Sequence, residues 1–405
     1  MSSRVVLGVG AGIAAYKSCE LLRLLTESGH HVRVVPTPDA LRFVGEVTWA
    51  ALSGQPVTTD AWTGVSDVPH VRIGQTADLV LVAPATADLL ARAAAGMAGD
   101  LLTATLLTAR CPVLYAPAMH TEMWEHPATQ ANVALLRRRG AVVIEPAAGR
   151  LTGQDSGPGR LPEPDAIFAV ATRLLARGAL AADLAGRRVV VSAGGTREEI
   201  DPVRFIGNWS TGTQGYALAS TAAARGAEVI VVAAGVALPD PAGAKVTRVV
   251  SAREMRDAVQ AAATGADAVV MAAAVADSRP AARSPATIKK DGRPPEPIAL
   301  TENPDILAEL AAVRTAQEGT RSAQVLVGFA AETDTSPEGA RAKLARKGCD
   351  LLVVNPVGNG LGFGTPDNEA VVYGADGTVT PIPRGPKEAL ADVVWDLVAA
   401  RLTNR

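Results

Sequence analysis

The chain alternates short, valine-rich apolar runs with stretches that have the period of an amphipathic helix. In the first part, apolar runs cover 4–10, 31–37, 78–83 and 112–116, and a helical stretch covers 19–28. Parallel strands that are buried on both faces and joined through helices give this alternation. The sequence therefore predicts a doubly wound α/β fold.

The same alternation begins again after a small, polar segment at 178–186. The later apolar runs cover 187–192, 227–233, 266–272, 324–329 and 350–355, and a last helix is expected at 387–402. The two halves share no alignable segment, so we expect a fusion of two different α/β domains, 1–178 and 188–405, joined by a linker at 179–187. Residues 278–297 carry five prolines and few apolar residues, which predicts a long exposed loop.

Charge and cysteine content exclude several classes of protein. Lys and Arg total 39 against 41 for Asp and Glu, which argues against a nucleic-acid-binding protein. Cys19, Cys111 and Cys349 are too few and too far apart for a disulfide framework or a zinc cluster. Charged or turn residues also interrupt every apolar run before it reaches membrane-spanning length, about 18 residues. We expect a cytoplasmic protein without nucleic-acid or membrane partners.

The first candidate site lies where early strands end. Gly8, Gly10 and Gly12 stand between a strand and a helix, where free backbone amides suit an anionic phosphate. Their spacing departs from the dinucleotide fingerprint, so a nucleotide site and a simple tight turn both remain open. Residues 81–88 form a second strand that ends on small residues and Thr86, at the edge where α/β sheets bind ligands.

The second candidate site begins at 192–204, where a strand opens into a glycine turn followed by hydroxyl and guanidinium groups. This composition indicates an anion cradle, and no Gly-x-Gly-x-x-Gly supports the rival nicotinamide site. Asn208, taken alone, is more typical of a turn or a helix cap than of a catalytic residue. Asp305 is expected in the first turn of a helix that opens at 303–307, where an anion is favourable. Lys343 and Lys347 share a helix face, which could grip a triphosphate or be a solvated basic surface.

Several motifs together resemble a known family. They are Gly-Ile-Ala-Ala-Tyr-Lys at 12–17, Ala-Pro-Ala-Thr-Ala-Asp at 83–88, Pro-Ala-Met at 117–119 with Met123 and Trp124, and Ile-Gly-Asn-Trp-Ser-Thr-Gly at 206–212. In these motifs the chain resembles flavin-containing cysteine decarboxylases. Over essentially its whole length it resembles the bacterial bifunctional phosphopantothenoylcysteine decarboxylase and phosphopantothenate–cysteine ligase family, which implies a flavodoxin-like domain followed by a Rossmann-like domain.

For the first half, the resemblance implies an FMN site and a catalytic histidine, His70, expected in a polar loop. The implied FMN-binding residues are Gly10, Ala11, Gly12, Ile13, Thr37, Ala85, Thr86 and Asp88. Met119 lies in the implied substrate site, and His120 replaces an asparagine that binds the substrate carboxylate. Gly153 stands where the family has a proton-donating cysteine in a flap, so water, His120 or Asp155 is left as the donor.

For the second half, the resemblance implies a CTP-dependent ligase in which Asn208 handles an acyl-nucleotide intermediate. Asp277 is expected near the phosphates and Mg²⁺, and Thr287 replaces the first lysine of a Lys-Ile-Lys-Lys motif. The remaining implied substrate-binding residues are Met271, Ala272, Ala273, Lys289, Lys290, Pro304, Asp305, Ile306, Leu307, Phe329, Lys343 and Lys347. The choice of CTP depends on the resemblance alone.

The resemblance thus implies two successive reactions. The second half joins 4'-phosphopantothenate to L-cysteine through an acyl-cytidylate, releasing pyrophosphate and CMP. The first half then decarboxylates the product to 4'-phosphopantetheine with FMN. The implied assembly is a homo-oligomer of decarboxylase trimers and ligase dimers, together a dodecamer. Two alternatives are a ligase whose flavin domain has lost decarboxylation and become regulatory, and a two-domain nicotinamide reductase.

Overall fold

The computed structural model describes residues 2–57, 59, 68–150, 156–177, 183–289, 297–316, 324–333, 336–358 and 362–403. The chain forms two compact units, Met1–Asp183 with Ala223–Arg225, and Leu184–Ala222 with Gly226–Arg405. In the described part of the chain, every helix is too short or too polar to cross a membrane.

The first unit is built on a five-stranded parallel sheet. Its strands are β1 (Arg4–Val9), β2 (His31–Pro36), β3 (Leu79–Ala85), β4 (Val113–Pro117), β5 (Val142–Val143), β6 (Ala147–Arg150) and β7 (Ser156–Arg160). Its helices are α1 (Lys17–Glu27), α2 (Glu46–Ser53), α3 (Pro69–Thr76), α4 (Ala87–Ala95), α5 (Leu101–Thr108), α6 (Thr121–Glu125), α7 (Pro127–Arg138) and α8 (Pro164–Arg177). The sheet order β2-β1-β3-β4-β5 confirms the flavodoxin-like prediction, and β6 and β7 form a separate antiparallel ribbon.

Strand β3 shows why this sequence folds into three layers. All seven of its residues are buried, and successive side chains point to opposite faces. Leu81 joins the apolar cluster that includes Leu22 of α1 and Ile167 of α8. Val80 joins the opposite cluster, with α4, α5 and α7. Because burial of each such side chain contributes roughly 1.5–3 kcal/mol, the sheet is stabilised from both sides.

The second unit has an eight-stranded sheet. Its strands are β8 (Arg188–Gly194), β9 (Arg197–Glu199), β10 (Phe205–Gly207), β11 (Glu228–Ala234), β12 (Ala244–Val249), β13 (Ala268–Met271), β14 (Ser278–Pro280), β15 (Leu300–Glu302), β16 (Val325–Glu332), β17 (Leu351–Pro356), β18 (Asp367–Gly374) and β19 (Val379–Pro386). Its helices are α9 (Thr213–Ala224), α10 (Ala252–Ala263), α11 (Ile306–Ala316), α12 (Pro337–Lys347) and α13 (Lys387–Thr403).

The strand order of this sheet is β12-β11-β8-β13-β16-β17-β18-β19. The first six strands are parallel, in the order that defines the Rossmann fold, which confirms that prediction. Strands β18 and β19 add an antiparallel hairpin at one edge. The outermost strand, β19, contains Pro381, Pro383 and Pro386.

Two predictions about elements of the second unit are wrong in part. The exposed loop expected at 278–297 begins as a strand, because β14 pairs with β15 in an antiparallel ribbon. Strand β16, expected to end at Phe329, continues to Glu332 because its pairing with β17 extends that far. A second short ribbon pairs β9, which lies within the region expected to be a glycine-turn cradle, with β10, which follows that region.

Candidate functional site

The carboxyl ends of β1 and β3 form the candidate site of the first unit. In a sheet of this order the connections diverge between these two strands, and the crevice so formed is where ligands bind. The Gly10 N–H donates to the Pro84 carbonyl oxygen at 3.0 Å. A Cβ on Gly10 would lie 2.5 Å from that oxygen and 3.4 Å from Cγ2 of Thr86. The glycine turn and the Thr86 segment, predicted separately, are therefore in contact.

Two threonines fix the neighbouring turns. The Thr37 N–H donates to the Val9 carbonyl oxygen at 2.9 Å, and Thr37 Oγ1 accepts from the Ala40 N–H at 3.3 Å. Thr86 caps α4, accepting from the Leu89 N–H at 3.2 Å. The ends of β1, β2 and β3 thus bring a glycine turn and two hydroxyl groups to one edge of the sheet.

The turn that follows Gly10 is open. Apart from its own chain neighbours, no heavy atom of the described residues lies within 4 Å of a Cβ placed on Gly12, and the Gly12 backbone is extended. Ile13 and Tyr16, in the next turn, are 73% and 60% exposed. Asp88 lies in the first turn of α4, with its side chain exposed. Backbone amides beside exposed apolar side chains suit a flat, phosphate-bearing ligand, and FMN fits this description.

His70 lies in the first turn of α3, so the prediction of a polar loop is wrong. Pro69 occupies the first helical position, which its fixed φ favours, and α3 packs on α5. The Thr108 hydroxyl donates to the His70 carbonyl oxygen at 2.7 Å. Nδ1 of His70 is buried and has no hydrogen-bond partner among the described residues. A buried imidazole nitrogen without a hydrogen bond destabilises the folded protein, unless a ligand or reacting group supplies the missing partner.

The segment after β4 packs closely on β7. The Met119 N–H donates to the Gly159 carbonyl oxygen at 2.9 Å, and a Cβ on Gly159 would lie 2.3 Å from the Met119 oxygen. His120 precedes α6 as its N-cap residue, but its side chain makes no capping hydrogen bond. Gly153 and Asp155 of the expected flap lie outside the described residues.

A network of charged side chains, which sequence reasoning missed, links α1 to the end of β7. Lys17 Nζ lies 2.9 Å from both carboxylate oxygens of Glu163, and Arg160 Nη2 lies 2.9 Å from Glu163 Oε1. Lys17 begins the helix that follows the glycine turn. The network therefore joins the candidate flavin turn to the ribbon that bears the expected flap.

In the second unit, the connections diverge between β8 and β13. Ser192 Oγ accepts from the Ala273 N–H at 3.1 Å, and Gly195 forms a parallel bridge with Ala274. Gly194 has φ +84°, and a Cβ there would lie 1.9 Å from a carbonyl oxygen of β11, so this position requires glycine. Three predicted substrate-binding residues thereby lie at the end of β13, beside the end of β8. Those residues are Met271, Ala272 and Ala273.

Asn208 follows β10 and reaches the segment after β13. Its Nδ2 donates to the Val275 carbonyl oxygen at 3.2 Å. The Asp277 carbonyl oxygen accepts from the Asn303 N–H at 2.8 Å, which places the segment leading into α11 next to the exposed Asp277. The structure thus brings three predicted segments together at this edge.

Asp305 caps α11 instead of lying in its first turn, because Oδ1 accepts from the Ala308 N–H at 3.2 Å. Lys347 Nζ pairs with Asp305 Oδ2 at 2.5 Å, and Lys343 Nζ pairs with Glu332 Oε1 at 2.6 Å. Both predicted triphosphate lysines therefore already have a carboxylate partner.

The remaining predicted substrate-binding residues differ in whether their side chains are accessible to a ligand. Ile306 and Leu307 are buried in the core, so only their backbone groups can serve a ligand. Phe329 lies within β16 and is partly exposed. Lys289 is exposed, whereas Lys290 lies outside the described residues.

Asp201, which carries no role in the sequence prediction, is the most completely satisfied carboxylate near this site. Five nitrogen atoms lie within 3.2 Å of its oxygens, from the backbone of Val203, Arg204 and Ile288 and from the Arg204 guanidinium. Burial by itself raises the pKa of Asp201, but these hydrogen bonds outweigh it and lower the pKa to about 2. Asp201 is therefore a carboxylate at every physiological pH.

The described residues hold no group of three or more histidine, cysteine, aspartate or glutamate side chains that could by itself bind a metal. Asp277 offers one exposed carboxylate. Such a site fits Mg²⁺ only where a ligand supplies most of the oxygens, as triphosphates do.

The chain is similar to known proteins over both units. Residues 1–176 match the family described as Flavoprotein, and residues 184–402 match the DNA/pantothenate metabolism flavoprotein C-terminal domain. The coenzyme A biosynthesis bifunctional protein CoaBC of Mycolicibacterium smegmatis is 58% identical over 409 residues, covering 99% of this chain and 98% of that protein. The protein of the same description from Vibrio cholerae is 42% identical, covering 98% of this chain and 97% of that protein.

Proposed function

The chain belongs to the family of coenzyme A biosynthesis bifunctional proteins CoaBC, and on this premise we propose that it catalyses two consecutive reactions. The second unit joins 4'-phosphopantothenate to L-cysteine with CTP. The first unit, with FMN, decarboxylates the resulting 4'-phospho-N-pantothenoylcysteine to 4'-phosphopantetheine. The observation that carries this proposal is the 58% identity to a bifunctional relative over 99% of the chain.

The ligase reaction has two steps. The phosphopantothenate carboxylate attacks the α-phosphorus of CTP, forming a carboxylate–phosphate bond while pyrophosphate leaves. The cysteine amine then attacks the acyl carbon, losing a proton as the amide forms and CMP leaves. Asn208, one of whose N–H groups is bound to Val275, has a second N–H for the acyl-cytidylate.

Charge on the triphosphate is offset by lysines and Mg²⁺. Lys289 is exposed and has room for a phosphate, with Lys290 next in the chain. Lys343 and Lys347 reach the ligand by exchanging their carboxylate partners. Both ion pairs are partly open to solvent, and surface ion pairs contribute only about 0–1 kcal/mol. Asp277 would bind the Mg²⁺ that enters with CTP.

The decarboxylase uses the edge formed by β1, β2 and β3. The residues proposed to bind FMN are Gly10, Ala11, Gly12, Ile13, Thr37, Ala85, Thr86 and Asp88. Bound FMN supplies transient oxidation of the thiol-bearing carbon, without which an N-acylcysteine has no electron sink for decarboxylation. His70 would accept the substrate proton through its unsatisfied ring nitrogen.

The substrate carboxylate is proposed to bind at the segment after β4. Met119 is fixed there by its hydrogen bond to Gly159, and His120 has a side chain not used in capping. A histidine N–H can donate the hydrogen bond that an asparagine amide donates elsewhere in the family. His120, Asp155 and water remain the candidates for the closing proton donor.

We propose that the protein works as a cytoplasmic homo-oligomer of decarboxylase trimers and ligase dimers, together a dodecamer. In the second unit, Phe205 of β10 and Trp209, which follows that strand, are 50% and 87% exposed. Leu300 lies on the ribbon β14–β15, which contacts β9. Large exposed apolar side chains on adjoining ribbons are typical of a surface covered by another subunit. The proposed activities reside in residues 1–178 and 188–405, with 179–187 as the linker.

The two alternatives are not favoured. A regulatory flavin domain was suggested by His120 and Gly153, but the full-length relatives are described as bifunctional. A nicotinamide reductase is not favoured because both units match families of this bifunctional protein instead.

The test is mass analysis of the products formed by the purified chain from phosphopantothenate, cysteine, CTP and Mg²⁺. We expect CMP, pyrophosphate and phosphopantetheine from flavin-loaded protein, and accumulation of phosphopantothenoylcysteine from flavin-free protein. Ligation without carbon dioxide release from flavin-loaded protein would favour the regulatory alternative. Absence of any cysteine adduct would contradict the ligase assignment.

A further inference from the structure

The carboxylate of Asp201 joins two segments that are distant in sequence. The first is the turn at 200–204, which connects β9 to β10 and is closed by the Ile200 N–H donating to the Arg204 carbonyl oxygen at 2.8 Å. The second segment ends at Ile288, whose N–H donates to Asp201 Oδ2 at 3.2 Å. Arg204 Nη2 donates to the carbonyl oxygen of the same Ile288. Both backbone groups of Ile288 are thus held by one ion pair.

Each joined segment leads directly to a residue of the proposed ligase site. Strand β10 follows the turn and ends at Gly207, immediately before Asn208. Lys289 immediately follows Ile288. A further hydrogen bond, from the Ser284 N–H to the Ile200 carbonyl oxygen at 2.9 Å, holds the same two segments together.

The Asp201 side chain has no exposed surface, whereas that of Arg204 is 51% exposed. All five nitrogens around Asp201 are donors, so both terminal atoms of the side chain at this position must be hydrogen-bond acceptors. An asparagine of the same shape would place an NH₂ group against donors and leave at least one buried N–H unsatisfied. The contact at Ile288 is the longest of the five and is expected to be lost first.

We propose that Asp201 is a positioning residue of the ligase, which fixes Lys289 relative to Asn208 so that the lysine meets the CTP triphosphate. This inference depends on the proposed function, because it assumes that CTP binds at this edge. Asp201 itself touches no reacting atom, since its oxygens are occupied by the protein.

The test uses the full chain and four variants: Asp201→Asn, Lys289→Ala, both together, and Glu199→Gln as the matched control. Glu199 pairs with Arg283 at 2.6 Å on the same two segments, but both side chains are largely exposed, so its loss should have little effect. Steady-state pyrophosphate release gives KM for CTP and kcat separately. Decarboxylation of supplied phosphopantothenoylcysteine checks that the first unit of each variant is intact, and kcat for pyrophosphate release reports the folded fraction of the second unit.

We expect Asp201→Asn to raise KM for CTP at least about ten-fold, the effect of losing one hydrogen bond to a charged group, with decarboxylation unchanged. In the Lys289→Ala background the same substitution should change KM little, because its effect acts through the lysine. Glu199→Gln should match the wild type.

Three outcomes would overturn the proposal. One is an unchanged KM for CTP in Asp201→Asn, and another is a fall in kcat alone, which indicates a smaller folded fraction. The third is an equal effect of Asp201→Asn with and without Lys289. Failure of the wild-type chain to release pyrophosphate with CTP would instead contradict the proposed function itself.

Discussion

Substitution of Gly10 by alanine tests whether the glycine turn is the flavin site. The added Cβ would lie 2.5 Å from the Pro84 carbonyl oxygen, whereas ordinary contacts begin at 3.4 Å. The turn and β3 must separate, and the 3.0 Å hydrogen bond between them cannot persist. Overpacking costs about 1–3 kcal/mol and the hydrogen bond about 1 kcal/mol, together about 2–4 kcal/mol.

If this free energy destabilises the conformation that binds flavin, FMN affinity decreases by a factor of roughly 30 to 900. The assay is fluorescence titration of flavin-free protein with FMN, supported by the visible absorbance that remains after gel filtration. Gly45→Ala is the control, because a Cβ there meets no atom within 4 Å and the backbone is ordinary at φ −71°. Ligase activity should survive in both variants.

An FMN affinity of Gly10→Ala equal to that of Gly45→Ala would refute the reasoning. It would mean either that the turn relaxes without cost or that flavin binds elsewhere. Loss of ligase activity together with flavin would point to general misfolding, and the ligase measurement is included for that reason.

Four further outcomes are expected. His70→Asn should retain bound flavin but lose decarboxylation, as measured by carbon dioxide release. Asn208→Asp should release pyrophosphate yet accumulate the acyl-cytidylate, detected by mass analysis after rapid quenching; normal amide formation would remove its assigned role. Replacing Lys343 and Lys347 together by alanine should raise KM for CTP about ten-fold or more, since two phosphate contacts are lost. The pKa of Asp201 is lowered to about 2, so its contribution to stability is complete above pH about 4 and is lost as pH falls toward 2. Denaturant unfolding should therefore show the stability difference between wild type and Asp201→Asn shrinking over that interval.

The architecture of both units could be predicted from local pattern because each parallel strand is buried on both faces. A strand such as β3, apolar along its whole length and followed by a helical period, has few alternatives to a doubly wound sheet. In the ribbons β9–β10 and β14–β15 each strand has only three residues. Strands this short show no alternation of apolar and polar residues that a sequence pattern could detect.

The positions of single site residues were predicted less well. Pro69 was an available signal that His70 begins a helix, since proline favours the first helical position. Asp305 is expected in the first turn but lies just before it, because aspartate before an apolar helical run is a typical N-cap. In both segments a residue type that marks the start of a helix, proline or aspartate, defines the true position.

Asp201 illustrates what local pattern could not provide. Aspartate followed by proline is a turn signal, and it predicts the bonds to Val203 and Arg204. The bond to Ile288 joins residues 87 positions apart, and nothing in either segment indicates the other. Contacts of this kind follow from the tertiary arrangement of ribbons that the sequence did not reveal.

The prolines of β19 limit how far the sheet of the second unit can grow. An outermost strand normally exposes a row of N–H and C=O groups to which a strand from another molecule can attach. Pro381, Pro383 and Pro386 have no N–H to offer, so a neighbouring chain would find an interrupted row of donors there. This border is therefore self-limiting, and it disfavours the open-ended addition of strands from neighbouring molecules.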